Sequence, residues 1–128
     1  RWRRWGAVET ATILVVDDSP TDRQHLSDML ARNGFKVSTA ESAEDALAKV
    51  KELRPDLVLM DVVMPGQNGF QATRTLTRDE STKNIPVILC TSKGQETDKV
   101  WGMRQGARDY IVKPVVQADL LAKIAALG

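Results

Sequence analysis

The chain has 128 residues, of which 42% are hydrophobic and only 5% aromatic, a composition that suits one globular domain with an aliphatic core. The formal net charge is +1, but Arg1, Arg3 and Arg4 supply three of the positive charges, leaving 15 basic and 17 acidic side chains over residues 5–128. That balance excludes a polyanion-binding body, so any nucleic-acid function would rest on the first few residues.

Cys90 is the sole cysteine and lies in the apolar run "PVILCT", which excludes an intramolecular disulfide and predicts a buried thiol in a reducing compartment. No apolar run approaches the roughly 18 residues needed to cross a bilayer. The sequence therefore predicts a cytoplasmic protein with no membrane association.

The opening "RWRRWGAVETAT" has neither the apolar stretch of a signal peptide nor any periodicity. Residues 1–11 are expected to be a flexible or vector-derived extension, with a stacking or membrane-touching Arg/Trp patch as the alternative. Residues 12–128 are expected to form one domain.

From Ala11 onward, short aliphatic runs alternate with amphipathic segments, the pattern of βα units around a parallel sheet. The first strand, residues 13–16, leads to Ser19 as N-cap, Pro20 at the first helical position and Asp22 in the first turn. Leu26, Met29 and Leu30 share one face of that helix, and Gly34 closes it.

"FKVSTA" gives a second strand; Ser42 and Asp45 open a second helix with Ala46, Leu47, Val50 and Leu53 as its buried stripe, and Pro55 ends it. "DLVLMD" is continuously apolar between its acids, as a central strand covered on both faces should be. A third helix over residues 69–78 follows, with Phe70, Thr73, Leu76 and Thr77 on its more apolar side.

"IPVILCTS" is the fourth strand, "QETDKVWGMRQG" the fourth helix and "RDYIVKP" the fifth strand, after which Leu120, Leu121, Ile124 and Leu127 line a last helix. The fourth helix contains Gly102 and is weakly patterned, which predicts loose packing.

In an open parallel sheet, ligands bind at the carboxyl ends of the strands. Those ends carry Asp17 and Asp18, then Asp61, then Thr91 with Ser92, then Lys113. An acid or a lysine at one strand end is ordinary. Three carboxylates, a hydroxyl and an ammonium at one rim are a less ordinary coincidence.

Carboxylates about 4 to 6 Å apart repel by several kcal/mol at an effective dielectric near 20 unless a cation intervenes. Mg²⁺ fits, because it accepts one or two carboxylates together with waters and phosphate oxygens. With Mg²⁺, one carboxylate can act as nucleophile on a phosphoryl group. Asp61, ending the central strand, is the expected phosphoacceptor, with Asp17 and Asp18 as metal-side acids. Lys113 is then the phosphate counter-charge and Thr91 the hydroxyl donor.

In order and spacing, "ILVVDDSP", "DLVLMDVVMPGQNGF", "PVILCTS" and "GARDYIVKP" resemble the receiver domain of two-component response regulators, the CheY-like family. The resemblance covers residues 12–127. It implies a flavodoxin-like (βα)5 fold, a doubly wound five-stranded parallel sheet in the order 2-1-3-4-5. It also implies phosphoryl transfer from a histidine kinase to Asp61, and Mg²⁺ at Asp17, Asp18, Asp61 and the backbone carbonyl of Val63.

The same resemblance implies a cis Lys113–Pro114 peptide, and it makes Thr91 and Tyr110 a switch pair. Output would run through helix 4, strand 5 and helix 5, including Lys99, Trp101, Met103, Tyr110 and Lys113. Val63 and Lys93 occupy positions that tune phosphoryl lifetime. An apolar Val63 and a cationic Lys93 predict slow self-dephosphorylation.

"QNGFQATRTLTRDESTKNIPVI" and "KGQETDKVWGMRQGARDYIVKP" are most similar to the stand-alone receivers of type IV pilus twitching systems. The expected role is a protein-contact switch acting on a pilus motor or adaptor, with no DNA-binding output domain and no catalysis beyond its own phosphorylation and dephosphorylation. A phosphate sink for a shared kinase is the alternative.

A Mg²⁺-dependent aspartyl-phosphate hydrolase fits less well, since the first strand supplies adjacent acids and the chain has neither room for a cap domain nor a GxxxxGK[ST] loop. His25, Arg104 and Arg108 are expected to be packing or solvated residues.

Overall fold

A computed structural model describes residues 11–64, 68–92 and 96–127. Five strands and five helices alternate: β1 (Thr12–Val16), α1 (Pro20–Arg32), β2 (Lys36–Ala40), α2 (Ala43–Leu53), β3 (Leu57–Asp61), α3 (Gly69–Arg78), β4 (Val87–Ser92), α4 (Glu96–Arg104), β5 (Asp109–Lys113) and α5 (Gln117–Leu127). All strand pairs are parallel, in the order β2-β1-β3-β4-β5. The opening Arg/Trp segment lies outside the described residues.

Alternation along the strands sorts the core into two layers, because successive side chains point to opposite faces of a sheet. Ile13, Val15, Leu57, Leu59, Ile88, Cys90 and Ile111 pack with Leu26, Met29 and Leu30 of α1 and Leu120 and Ile124 of α5. Leu14, Val16, Val58, Met60, Val87 and Leu89 pack with Ala46 and Val50 of α2 and Ala72 and Leu76 of α3. The central strand β3 is buried along its whole length, which accounts for its unbroken apolar sequence.

The helix starts follow the sequence signals. Ser19 and Ser42 cap α1 and α2 by accepting from the backbone N–H groups of Asp22 and Asp45, and Pro20 opens α1. Gly34 takes the positive φ of +90° just beyond Asn33, the C-cap of α1. α2 ends through Arg54, held left-handed at φ 51° before Pro55, a proline that disfavours helical geometry in the residue preceding it.

Several packing expectations change. Leu53 is 43% exposed rather than part of the α2 stripe, since the chain turns away from the sheet at Arg54. On α3, Ala72 is buried with Thr73 and Leu76, whereas Phe70 and Thr77 are only partly covered. Leu121 and Leu127 are likewise partly covered while Leu120 and Ile124 fill the core.

Val100, Trp101 and Met103 of α4 stay about half exposed, but Gly102 is a point of close approach. It is buried, and a Cβ there would overlap Leu89 Cδ1 and come within 3.6 Å of Phe70 Cε1, so the missing side chain lets the helix approach β4 closely.

Candidate functional site

Sheet alternation also explains which polar residues meet. Asp17 continues the Ile13, Val15 face of β1, Asp61 the Leu57, Leu59 face of β3, and Lys113 the Ile111 face of β5. All three therefore emerge on the α1/α5 side of the carboxyl edge. Thr91 and Tyr110 have the opposite parity, in line with Leu89, so the expected switch pair belongs to the α2/α3 side.

Lys113 draws the acids together. Its Nζ lies 2.8 Å from Asp17 Oδ2, 3.1 Å from Asp61 Oδ1 and 3.3 Å from Asp22 Oδ2. Asp17 is 1% exposed and Asp61 7%, whereas Asp18 is exposed. The turn after β1 is pinned at both ends: Asp17 Oδ1 accepts from Ser19 N–H at 2.9 Å, and Arg23 Nη1 donates to the Asp17 carbonyl at 2.7 Å. The Lys113–Pro114 peptide is cis.

The end of β3 is fixed from the other side by α3. Gly69 N–H donates to the Val62 carbonyl at 3.0 Å, and a Cβ at Gly69 would overlap the Asp61 carbonyl oxygen. A reciprocal capping box between Asn68 and Gln71 starts the helix at that point. The serine caps were visible in sequence, but this box uses Asn and Gln and was missed; the N-x-x-Q spacing was its signal.

Burial raises the Asp61 carboxyl from its ordinary 3.8 to about 6, with Asp17 adding to the rise and Lys113 opposing it. Burial works against the charge of Lys113, yet its bond to Asp17 and the charges of Asp61 and Asp17 hold its pKa above the ordinary lysine value. Cys90, paired in register with Asp61, is 1% exposed, and burial pushes its thiol up to about 12, so it stays protonated.

One carboxylate oxygen from each of Asp17, Asp18 and Asp61 lies within 4.8 Å of the others. An all-oxygen donor set with one exposed member, and an Asp61 that resists ionising beside its neighbours, fits a hard divalent cation such as Mg²⁺. Thr91 is buried on β4, one residue past the position paired with Asp61.

Tyr110 is half-buried against the α2/α3 layer, with Lys123 Nζ 5.0 Å above its ring. Val63 is 69% exposed, Lys93 lies outside the described residues, and Lys99 falls in α4 with its side chain outside them. A separate groove of about 440 Å³ between α3 and α4 is lined by Phe70, Arg74 and Trp101, among others.

Five alternating βα units with acids and a lysine converging at the carboxyl edge define a receiver-type α/β protein. Residues 13–125 match the response regulator receiver domain, and the chain belongs to that family.

The chain is 57% identical over 117 residues to the protein PilH of Pseudomonas aeruginosa, covering 91% of this chain and 97% of that one. It is 40% identical over 116 residues to the phosphate regulon transcriptional regulatory protein PhoB of the same organism, matching 91% of this chain but only 51% of PhoB. Among solved structures, the Vibrio cholerae chemotaxis protein CheY4 superposes with a TM-score of 0.87 at 32% identity, over 94% of this chain and all of that one. Among the described residues, no helix is long and apolar enough to cross a membrane.

Proposed function

We propose that the chain is a phosphorylation-driven response regulator in which Asp61 accepts a phosphoryl group from a histidine kinase. The observation carrying this is the Lys113 ammonium set between Asp61 and Asp17, at 3.1 and 2.8 Å, beside a third acid, Asp18, at a carboxyl edge of the sheet.

In this proposal an Asp61 carboxylate oxygen bonds to phosphorus as the donor's bond to phosphorus breaks, the electron pair leaving with the donor. Lys113 meets the charge on the transferred oxygens, and Thr91 offers its hydroxyl to one of them. Asp17, Asp18, Asp61 and the Val63 carbonyl would hold Mg²⁺, which supplies charge neutralisation for the phosphoryl oxygens.

Output would use α4, β5 and α5, where Trp101 and Met103 are 54% and 47% exposed. A shift of Thr91 toward the phosphoryl group would be felt by Tyr110, which shares its side of the sheet. The likeness to PilH and the strings resembling twitching-system receivers direct the proposal to type IV pilus twitching or chemotaxis-like signalling.

Intact mass after incubation with Mg²⁺ and acetyl phosphate tests it. One phosphoryl adduct is expected on the wild type, lost on chelation of Mg²⁺ and absent from Asp61→Asn. An adduct that persists on Asp61→Asn would move the acceptor elsewhere.

A further inference from the structure

The sequence around α1 sets up a local bond that the structure does not use. Ser19 caps the helix and Asp22 stands three residues later, the spacing at which an acid turns back to accept the cap residue's own N–H. At α3, Asn68 and Gln71 close such a reciprocal box. At α1 the Ser19 N–H is already taken by Asp17 Oδ1, and the Asp22 carboxylate instead reaches Lys113 Nζ at 3.3 Å, across 91 residues of sequence.

Lys113 thus has three carboxylates within 3.3 Å, as many as an ammonium has N–H bonds. They are not equivalent. Asp17 is 1% exposed and fixed by Ser19, and Asp61 ends the central strand. The Asp22 side chain is 51% exposed, so water can take over its solvation at little cost.

We propose that Asp22 is a positioning residue: it holds the Lys113 ammonium toward α1 while Asp61 is unmodified and gives it up when a phosphoryl group arrives on Asp61. This rests on Asp61 being the acceptor. Asp22 thereby opposes phosphorylation and sets the threshold at which the site responds to phosphodonor.

Acetyl phosphate is the probe: an Asp61 oxygen bonds to phosphorus, the donor's P–O bond breaks, and acetate leaves with the electron pair. Initial rates of adduct formation with Mg²⁺ are compared across donor concentrations for the wild type, Asp22→Asn, Asp22→Ala and Asp22→Glu. The Asn and Ala variants are expected to react about two- to fivefold faster at subsaturating donor, the range an exposed ion pair represents, and Glu to return toward the wild-type rate.

A purely structural role would leave the Lys113 side-chain ammonium signal unchanged by NMR in the unphosphorylated protein. Faster proton exchange there in the Asn and Ala variants is expected instead. Wild-type rates in those variants, or slower ones, overturn the proposal while leaving the acceptor in place. No adduct on the wild type overturns the acceptor assignment and this proposal with it.

Discussion

Replacing Asp61 with Asn should make the metal-free protein more stable, by an amount that depends on pH. The folded state raises the Asp61 carboxyl from 3.8 to about 6, chiefly through burial. A raised folded pKa means that the native chain binds more protons than the unfolded chain between those values, so stability falls as pH climbs through that window. Below about pH 4 both states are protonated and no stability is lost. Above about pH 6 the whole difference is felt, about 3 kcal/mol for roughly two pKa units at 1.36 kcal/mol each.

Asn copies the shape of the neutral carboxyl, so Asp61→Asn should exceed the wild type by about 2 to 3 kcal/mol near pH 8 and by about half that near pH 5. For a chain of this size the higher figure corresponds to roughly 10 °C in Tm. Urea unfolding followed by far-UV circular dichroism in chelator at the two pH values is the assay. A variant no more stable than the wild type near pH 8, or a gap that does not narrow on acidification, would refute the claim that the fold forces an unfavourable charge onto Asp61.

Lys113→Met leaves buried Asp17 and Asp61 without their ammonium and should cost about 3 kcal/mol near pH 8. Because Lys113 opposes the rise of the Asp61 pKa, the loss should shrink on acidification as Asp61 takes up a proton, which the same urea titrations would measure. Gly102→Ala should destabilise by about 1 to 3 kcal/mol despite alanine's better helix propensity, because its Cβ meets Leu89. Adding Leu89→Ala should recover part of that loss in a double-mutant cycle of denaturation midpoints.

Much of this architecture could be read in one dimension because the signals were local or periodic. Ser19, Ser42 and Pro20 act within one helical turn, and Leu26, Met29 and Leu30 repeat at helical spacing. The site's acids and lysine stood out because parallel strands bring their carboxyl ends to one rim.

Contacts made between elements distant in sequence were less legible. Gly102 reads as a weak point along a helix and acts as a close-packing point against β4. Leu53 continues an apolar period yet falls on the turn away from the sheet. Asp22 reads as a first-turn acid of α1, and nothing local to it marks its contact with Lys113, 91 residues away.

The opposite parity of Cys90 and Thr91 constrains how this chain can change length. Val87 through Thr91 count out the sheet one residue at a time, so a single deletion inside β4 would put a threonine where the buried thiol sits, and a single insertion would put the thiol where the hydroxyl is needed. The turns at residues 79–85, where Glu80, Ser81, Lys83 and Asn84 are exposed, carry no strand alternation, and Thr82, which is buried and donates to the Leu76 carbonyl, is the position there that a change of length would have to keep. Length variation among proteins of this shape should accordingly collect there and leave β4 unchanged in residue number.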